Sequence, residues 1–192
     1  DDVEDGGAEH FRRTIAAVRE VDPEMVIEVL TPDFRNREEA LQAIADARPD
    51  IFNHNLETVE RLTPVVRSRA KYDLSLKVLG RMKELAPEIV TKSGLMLGLG
   101  EREEEIFEAM DDLRSHGVQV LTMGQYLRPS PQHLPVVAYI EPAKFEEYKQ
   151  VAYDKGFEYV ASGPLVRSSY HAADYDPTGK KAIPKAEASA SK

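Results

Sequence analysis

The chain has 192 residues and a mass of 21.5 kDa, and its 42% hydrophobic and 31% charged content is that of a soluble globular domain with a substantial core. A formal charge of −9, from 25 basic and 34 acidic residues, argues against a nucleic-acid surface, which needs a basic face. The absence of cysteine excludes disulfides, zinc ribbons and any self-contained cysteine-ligated cluster, while the lack of a bilayer-length apolar run and the acidic start "DDVEDGG" argue against a membrane span or secretory signal.

In chain order, "GGAEHFRRTIAAVREVD" reads as a helix, "MVIEVLTPDF" as a strand with its loop, and "REEALQAIADA" as the next helix. "DIFNHNLETV" is a strand ending in polar residues, and "YDLSLKVLGRMKELAP" is a helix stopped by Pro87. "IVTKSGLMLGLG" is a buried strand feeding "EREEEIFEAMDDLRSHG", whose glutamates suit the positive end of a helix dipole and whose Gly117 suits a C-terminal cap. The last two units are "VQVLTMGQYL" with the loop "RPSPQHLPVV" and the helix "EPAKFEEYKQVAYDKG", followed by the strand "FEYVASGPLV".

This alternation is the signature of parallel βα units, so the expected fold class is α/β. Residues 1–175 form the expected domain, and the small-residue, lysine-containing stretch 176–192 is expected to be a disordered tail. The first helix has no strand before it, and four to five units make only part of a barrel. The expectation is the C-terminal part of a longer, intracellular protein; a complete small α/β domain beginning with a helix is the alternative.

Functional groups of parallel α/β folds gather in the loops after the strands. In "NHNLET", alternation points Asn53, Asn55 and Glu57 to one side, which suits hydrogen bonding to a ribose or amino-acid group; turn and capping contacts are an equal alternative. His54 then faces the other way and reads as a packed, satisfied side chain. In "SGLMLGLGE", Gly94, Gly98 and Gly100 interrupt large apolar residues, which suits a flat ring lying against the backbone, or else close helix packing. A phosphate loop fits poorly, because no Gly-Lys-Ser/Thr ending is present and glutamates follow. In "QYLRPS", Gln125, Tyr126 and Arg128 could orient a polar ligand, although Arg128 is equally readable as a surface residue held by the Pro129 turn.

Taken in order, "DDVEDGGA", "NHNLETV", "TKSGLMLGLGE", "GQYLRPS", "HLPV" and "GPLVRSSYH" resemble the C-terminal part of the lipoyl synthases, members of the radical S-adenosylmethionine superfamily. The resemblance runs from about Asp1 to His171, and "RSSYH" is its most specific element. It implies the C-terminal part of a partial (βα)6 TIM-like barrel with parallel strands and a C-terminal extension. It further implies that Gly94, Met96, Gly98 and Glu101 lie on the strand whose backbone runs along the adenine of S-adenosylmethionine. Asn55 and Glu57 fall at the ribose-contacting position, and Gln125 and Tyr126 on the last strand facing that cofactor.

The same resemblance implies that a serine of "RSSYH" ligates iron in an auxiliary [4Fe-4S] cluster that three cysteines hold elsewhere. Ser169 is assigned that role, with Ser168 the fallback; Arg167 would stabilise the site, and Tyr170 and His171 would order the segment, with His171 as acid or base the weaker reading. The implied reaction inserts two sulfur atoms at carbons six and eight of an octanoyl group. One [4Fe-4S] cluster cleaves S-adenosylmethionine to a 5′-deoxyadenosyl radical, and the auxiliary cluster is consumed as sulfur donor.

The implied partners are an octanoylated lipoyl-carrier domain (a 2-oxoacid dehydrogenase E2 component or the glycine-cleavage H protein) and a reductant such as ferredoxin or flavodoxin. A cytoplasmic setting is expected, or an organelle in a eukaryote. Neither family cysteine motif occurs in this sequence, so the chain alone is expected to bind neither cluster and not to turn over. A biotin-synthase-like sulfur insertion, a carrier-binding remnant without catalysis, and a metal hydrolase built on His54, His133 and Asp33 are the rivals; the last lacks a recognised ligand spacing.

Overall fold

A computed structural model describes residues 3–169 together with Tyr175 and Pro177. The expectations for Tyr170, His171 and nearly all of the 176–192 tail therefore lie outside the described residues.

Helix α1 (Ala8–Val21) begins where Asp5 caps it: its carboxylate accepts the backbone N–H groups of Gly7 at 2.9 Å and Glu9 at 3.0 Å. The chain then winds through β1 (Glu28–Leu30), α2 (Glu38–Ala47), β2 (Ile51–Asn53), the short α3 (Thr63–Val66), α4 (Tyr72–Leu85) and β3 (Val90–Leu97). It continues through α5 (Glu103–Ser115), β4 (Val120–Gln125), α6 (Pro142–Asp154) and β5 (Tyr159–Gly163). All neighbouring strands pair in parallel, and their order in the sheet is their order in the chain. Such stepwise winding is that of a barrel rather than of a doubly wound sheet, in which the order reverses.

Side-chain alternation sorts the sheet's two faces. Val29, Phe52, Leu95, Leu97, Leu121, Met123 and Val160 join the helices in the main core. Helix α5 shows why it packs there: Ile106, Ala109, Met110 and Leu113 recur at helical spacing and are all buried. Its start is capped by Arg102 and Glu105, and Gly117 follows its end with φ +78°, as the sequence suggests.

The opposite face is graded. Ile51, Val90 and Val120 form a small apolar cluster against Tyr159 and Tyr175. Burial there pushes the Tyr175 hydroxyl up to about 12. Above that cluster lies a charged layer: Lys92, only 4% exposed, contacts both Glu28 oxygens at 2.8 and 2.9 Å, and Asn53 donates to Glu28 at 2.9 Å. Three strands are thus tied by one half-buried carboxylate.

Two differences from the sequence reading have local causes. The strand expected over "DIFNHNLETV" ends at Asn53, because the Ser93 hydroxyl takes the Leu56 N–H at 3.0 Å in place of a ladder carbonyl. Pairing with β3 resumes only at Glu57, whose N–H and carbonyl bond Gly94 and Met96 at 2.8 Å each. The stretch 60–66, left without an element in the sequence reading, is a 3₁₀ turn and α3, with Pro64 at the start of the helix.

Candidate functional site

A cleft of about 200 Å³ opens where the strands end, lined in part by Asn55, Glu57, Gly94, Met96, Thr122 and Gly124. Gln125, Tyr126, Arg167 and Ser168 line it too. Eight of the residues singled out in the sequence therefore meet at one place. Its volume is below the roughly 300–1,000 Å³ of a typical ligand site, so it has room for only part of such a ligand.

Gly94 is the floor. A Cβ there would stand 2.7 Å from Thr122 Oγ1 and 2.9 Å from Asn55 Oδ1, so any side chain would fill the space between two polar groups. Asn55 Oδ1 is buried and has no hydrogen-bond partner, while its amide nitrogen donates to Glu57 Oε1 at 3.1 Å and Ser168 Oγ at 2.8 Å. An acceptor left unmade in a buried site can take a donor from an ordered water or a ligand, and the donor groups of a nucleoside have the chemistry it needs. The positive φ of Glu57, +69°, holds its carboxylate beside that amide.

Gly98 and Glu101 lie outside the cleft's lining and build the turn beyond it. The Glu101 carboxylate accepts the N–H groups of Gly98 and Leu99, and a Cβ at Gly98, which has φ +101°, would meet Ala138 O and Gln125 Nε2. Gln125 is spent on backbone: it donates to Tyr126 O and Ala138 O and accepts from Ile140 N–H. It fixes the 126–140 loop over the turn. Tyr126 donates its hydroxyl to Leu134 O at 2.9 Å, and Arg128 holds His133 O at 2.9 Å, so of the two readings of Arg128 the loop-holding one describes its contacts.

The segment after β5 closes one side. Val166 O would lie 2.1 Å from a Cβ on Gly124, so only glycine admits this backbone approach. Arg167 donates to Val166 O at 2.7 Å, Ser168 faces Asn55, and Ser169 is exposed. Gly124, Thr122 and the Glu28–Lys92 pair were missed in the sequence. A glycine and a lysine within buried strands were the available signals.

His54 is packed, as its position suggests: Nδ1 meets Thr31 O and Nε2 meets Ser75 Oγ, both at 3.0 Å, and burial holds the ring below the usual histidine range. Asp33 caps the Arg35 N–H and His133 meets Ser130, so the hydrolase trio is divided among three local roles. Among the described residues no group of three or more His, Cys, Asp or Glu is placed to hold a metal ion. A polar cleft able to take nucleoside donors remains, beside two serine hydroxyls and no thiolate. Among the described residues no helix is long and apolar enough to cross a membrane.

Residues 3–113 match the model of the radical SAM superfamily. Lipoyl synthase of Anaeromyxobacter sp. is 58% identical over 91% of this chain and 59% of its own length, and that of Rubrobacter xylanophilus is 56% identical over 90% and 54%. Lipoyl synthase of Bacillus mycoides is 57% identical over 90% and 58%; the chain thus spans somewhat more than half the length of these relatives. Among solved structures, a domain of pyruvate-formate lyase-activating enzyme from Bacteroides vulgatus superposes with a TM-score of 0.57 at 13% identity, covering 80% of this chain and 92% of that one. Streptococcus suis SuiB bound to S-adenosylmethionine gives 0.63 at 11% identity, covering 88% and 40%.

Proposed function

This chain belongs to the radical SAM superfamily, beside its lipoyl synthases, and we propose that it supplies the nucleoside-facing wall of an enzyme that inserts two sulfur atoms into a protein-bound octanoyl group. The single observation that carries the reading is the Asn55–Gly94–Thr122 recess, a polar slot with a buried acceptor unmade at the strand ends. S-adenosylmethionine and [4Fe-4S] clusters supply the radical chemistry and the sulfur.

The chain's own residues bind, orient and enclose. Gly94 lets a flat base approach the strand, while Asn55 and Glu57 offer acceptors for ribose hydroxyls. Gln125 and Glu101 hold the flanking loops, so the recess is formed before ligand arrives and little ordering remains to oppose binding. Ser169 is the proposed oxygen ligand of an auxiliary cluster and Ser168 the fallback; a serine oxygen binds iron more weakly than thiolate, which suits a site that must open. Its exposure leaves it accessible, whereas Ser168 Oγ accepts from Asn55. Arg167 donates to the Val166 carbonyl, the oxygen that a Cβ on Gly124 would meet, and is proposed to stabilise this segment. The thiolates that both clusters require are absent from this sequence, so no step is assigned to cluster chemistry on this chain's residues.

The octanoyl group is proposed to arrive on the lysine of a lipoyl-carrier domain, with ferredoxin or flavodoxin as electron source. The test uses a short octanoyl-lysyl peptide incubated with the protein carrying this chain, S-adenosylmethionine and reductant. A lipoyl peptide with 5′-deoxyadenosine is the expected product. An octanoyl peptide unchanged in mass, with the clusters spectroscopically intact at the start, contradicts the reading.

A further inference from the structure

Beside the cleft runs a larger groove of about 730 Å³, formed by residues 3–6, the turn after β1 and the stretch 66–74. Arg35, Arg67, Arg69 and Lys71 line it, together with Glu4, Asp33 and Asp73. Two of those acids are engaged: Asp33 accepts the Arg35 N–H at 2.8 Å and Asp73 pairs with Lys77 at 3.4 Å. By contrast, the side chains of Arg35, Arg69 and Lys71 make no hydrogen bond or ion pair among the described residues. Arg67, which lines the groove, donates to the backbone carbonyl of Asn55 at 3.0 Å, so it joins the groove to a residue that lines the cleft.

Arg35 is held rather than loose at its backbone. Phe34, Arg35 and Asn36 are three consecutive non-glycine residues with φ of 48°, 53° and 52°, a left-handed turn that side chains oppose. The surroundings enforce it: Phe34 is buried edge-on against Phe11 at 6.3 Å, and its ring crosses Gly6 so closely that a Cβ there would approach to 2.9 Å. A conformation kept against its own preference, on a loop at the strands' C-terminal ends, is characteristic of a surface that must present something.

We propose that this groove is the docking surface for a carboxylate-rich face of the protein that carries the acyl chain, an inference that rests on the function proposed above. With a net charge of −9, the chain as a whole repels an acidic partner. Arg35, Arg69 and Lys71, whose side chains have no ion-pair partner among the described residues, therefore decide where such a partner seats, and they do so beside Asn55, where an acyl-lysine arm would enter the cleft. Charge complementarity of this kind acts on encounter rate and register and is weakened by salt.

The experiment compares wild type with the double variant Arg69→Glu, Lys71→Glu in the protein carrying this chain, using two substrates. One is the intact octanoylated carrier domain; the other is a short octanoyl-lysyl peptide without acidic residues. The variant is expected to raise KM for the carrier by about tenfold or more and to flatten its salt dependence, with KM for the peptide unchanged. An active wild type whose variant handles the carrier equally well, or loses peptide and carrier alike, overturns the groove as docking surface. A wild type inert toward both substrates overturns the function reading, and the docking inference with it.

Discussion

The side-chain amide of Asn55 donates to the hydroxyl of Ser168 at 2.8 Å, joining residues 113 positions apart across the cleft. This bond ties the segment after β5 to the strand-end loop that faces the ligand. Ser168→Ala removes the acceptor and is expected to lower stability by about 1 kcal/mol. More diagnostic is tryptic cleavage after Arg167, which should accelerate severalfold as the segment comes away. An unchanged cleavage rate would mean that the bond does not hold the segment.

Two glycine substitutions should separate ligand binding from loop docking. Gly94→Ala places a methyl 2.7 Å from Thr122 Oγ1 and 2.9 Å from Asn55 Oδ1, where a base would lie. It is expected to weaken S-adenosylmethionine binding at least about tenfold, at an overpacking penalty of about 1–3 kcal/mol, with normal tryptic resistance at Arg167. Gly124→Ala instead meets the backbone carbonyl of Val166 and should expose Arg167 to trypsin. Titration calorimetry and timed proteolysis on both variants check the pair. Identical behaviour of the two would refute the division of roles.

In the Glu28–Lys92 pair the lysine is buried and the glutamate half-buried, with Asn53 on the same carboxylate. Lys92→Met leaves that carboxylate without its cation and is expected to cost about 3–5 kcal/mol in urea unfolding. Adding Glu28→Gln removes the stranded charge while keeping an acceptor for Asn53, and should recover most of the loss. A double variant as unstable as the single one would show that the lysine acts through packing alone.

Acid should loosen the turn that connects β3 to α5. The Glu105 carboxyl is held well below the ordinary value of 4.5, first by the Arg61 guanidinium at 2.7 and 2.9 Å and then by the Arg102 N–H at 2.8 Å. A depressed folded value means that this stabilisation is fully present above pH 4.5 and is lost as pH falls below it toward the folded value. Glu105→Gln should therefore have a melting temperature below wild type at neutral pH, with the gap closing on acidification. A gap independent of pH between neutral and acid conditions would contradict the ion pair's role.

Much of the fold is legible in the sequence because periodicity is a burial signal. Ile106, Ala109, Met110 and Leu113 mark α5, and β-branched runs between helices mark the parallel strands. The cleft's glycines and amides were found by a similar route, since Gly94 and Asn55 interrupt patterns that apolar residues would otherwise continue. The interrupted strand at Asn53 was not legible, because it depends on one hydroxyl, that of Ser93, competing for one N–H from another strand. Nor was the role of Gln125, whose side chain looks available in a motif but is fully engaged by loop backbone. The left-handed turn at Phe34 contains no glycine, so its sequence carries no sign of its backbone.

The most direct test of the account is the intact mass of an octanoylated carrier domain after reaction with the protein carrying this chain, S-adenosylmethionine and reductant, run beside Ser169→Ala. The account predicts that wild type converts the octanoyl group to lipoyl, whereas Ser169→Ala still forms 5′-deoxyadenosine but makes no lipoyl group. An octanoyl carrier left unchanged by wild type contradicts the proposed function, and a Ser169→Ala protein that makes lipoyl at the wild-type rate contradicts the serine's assignment.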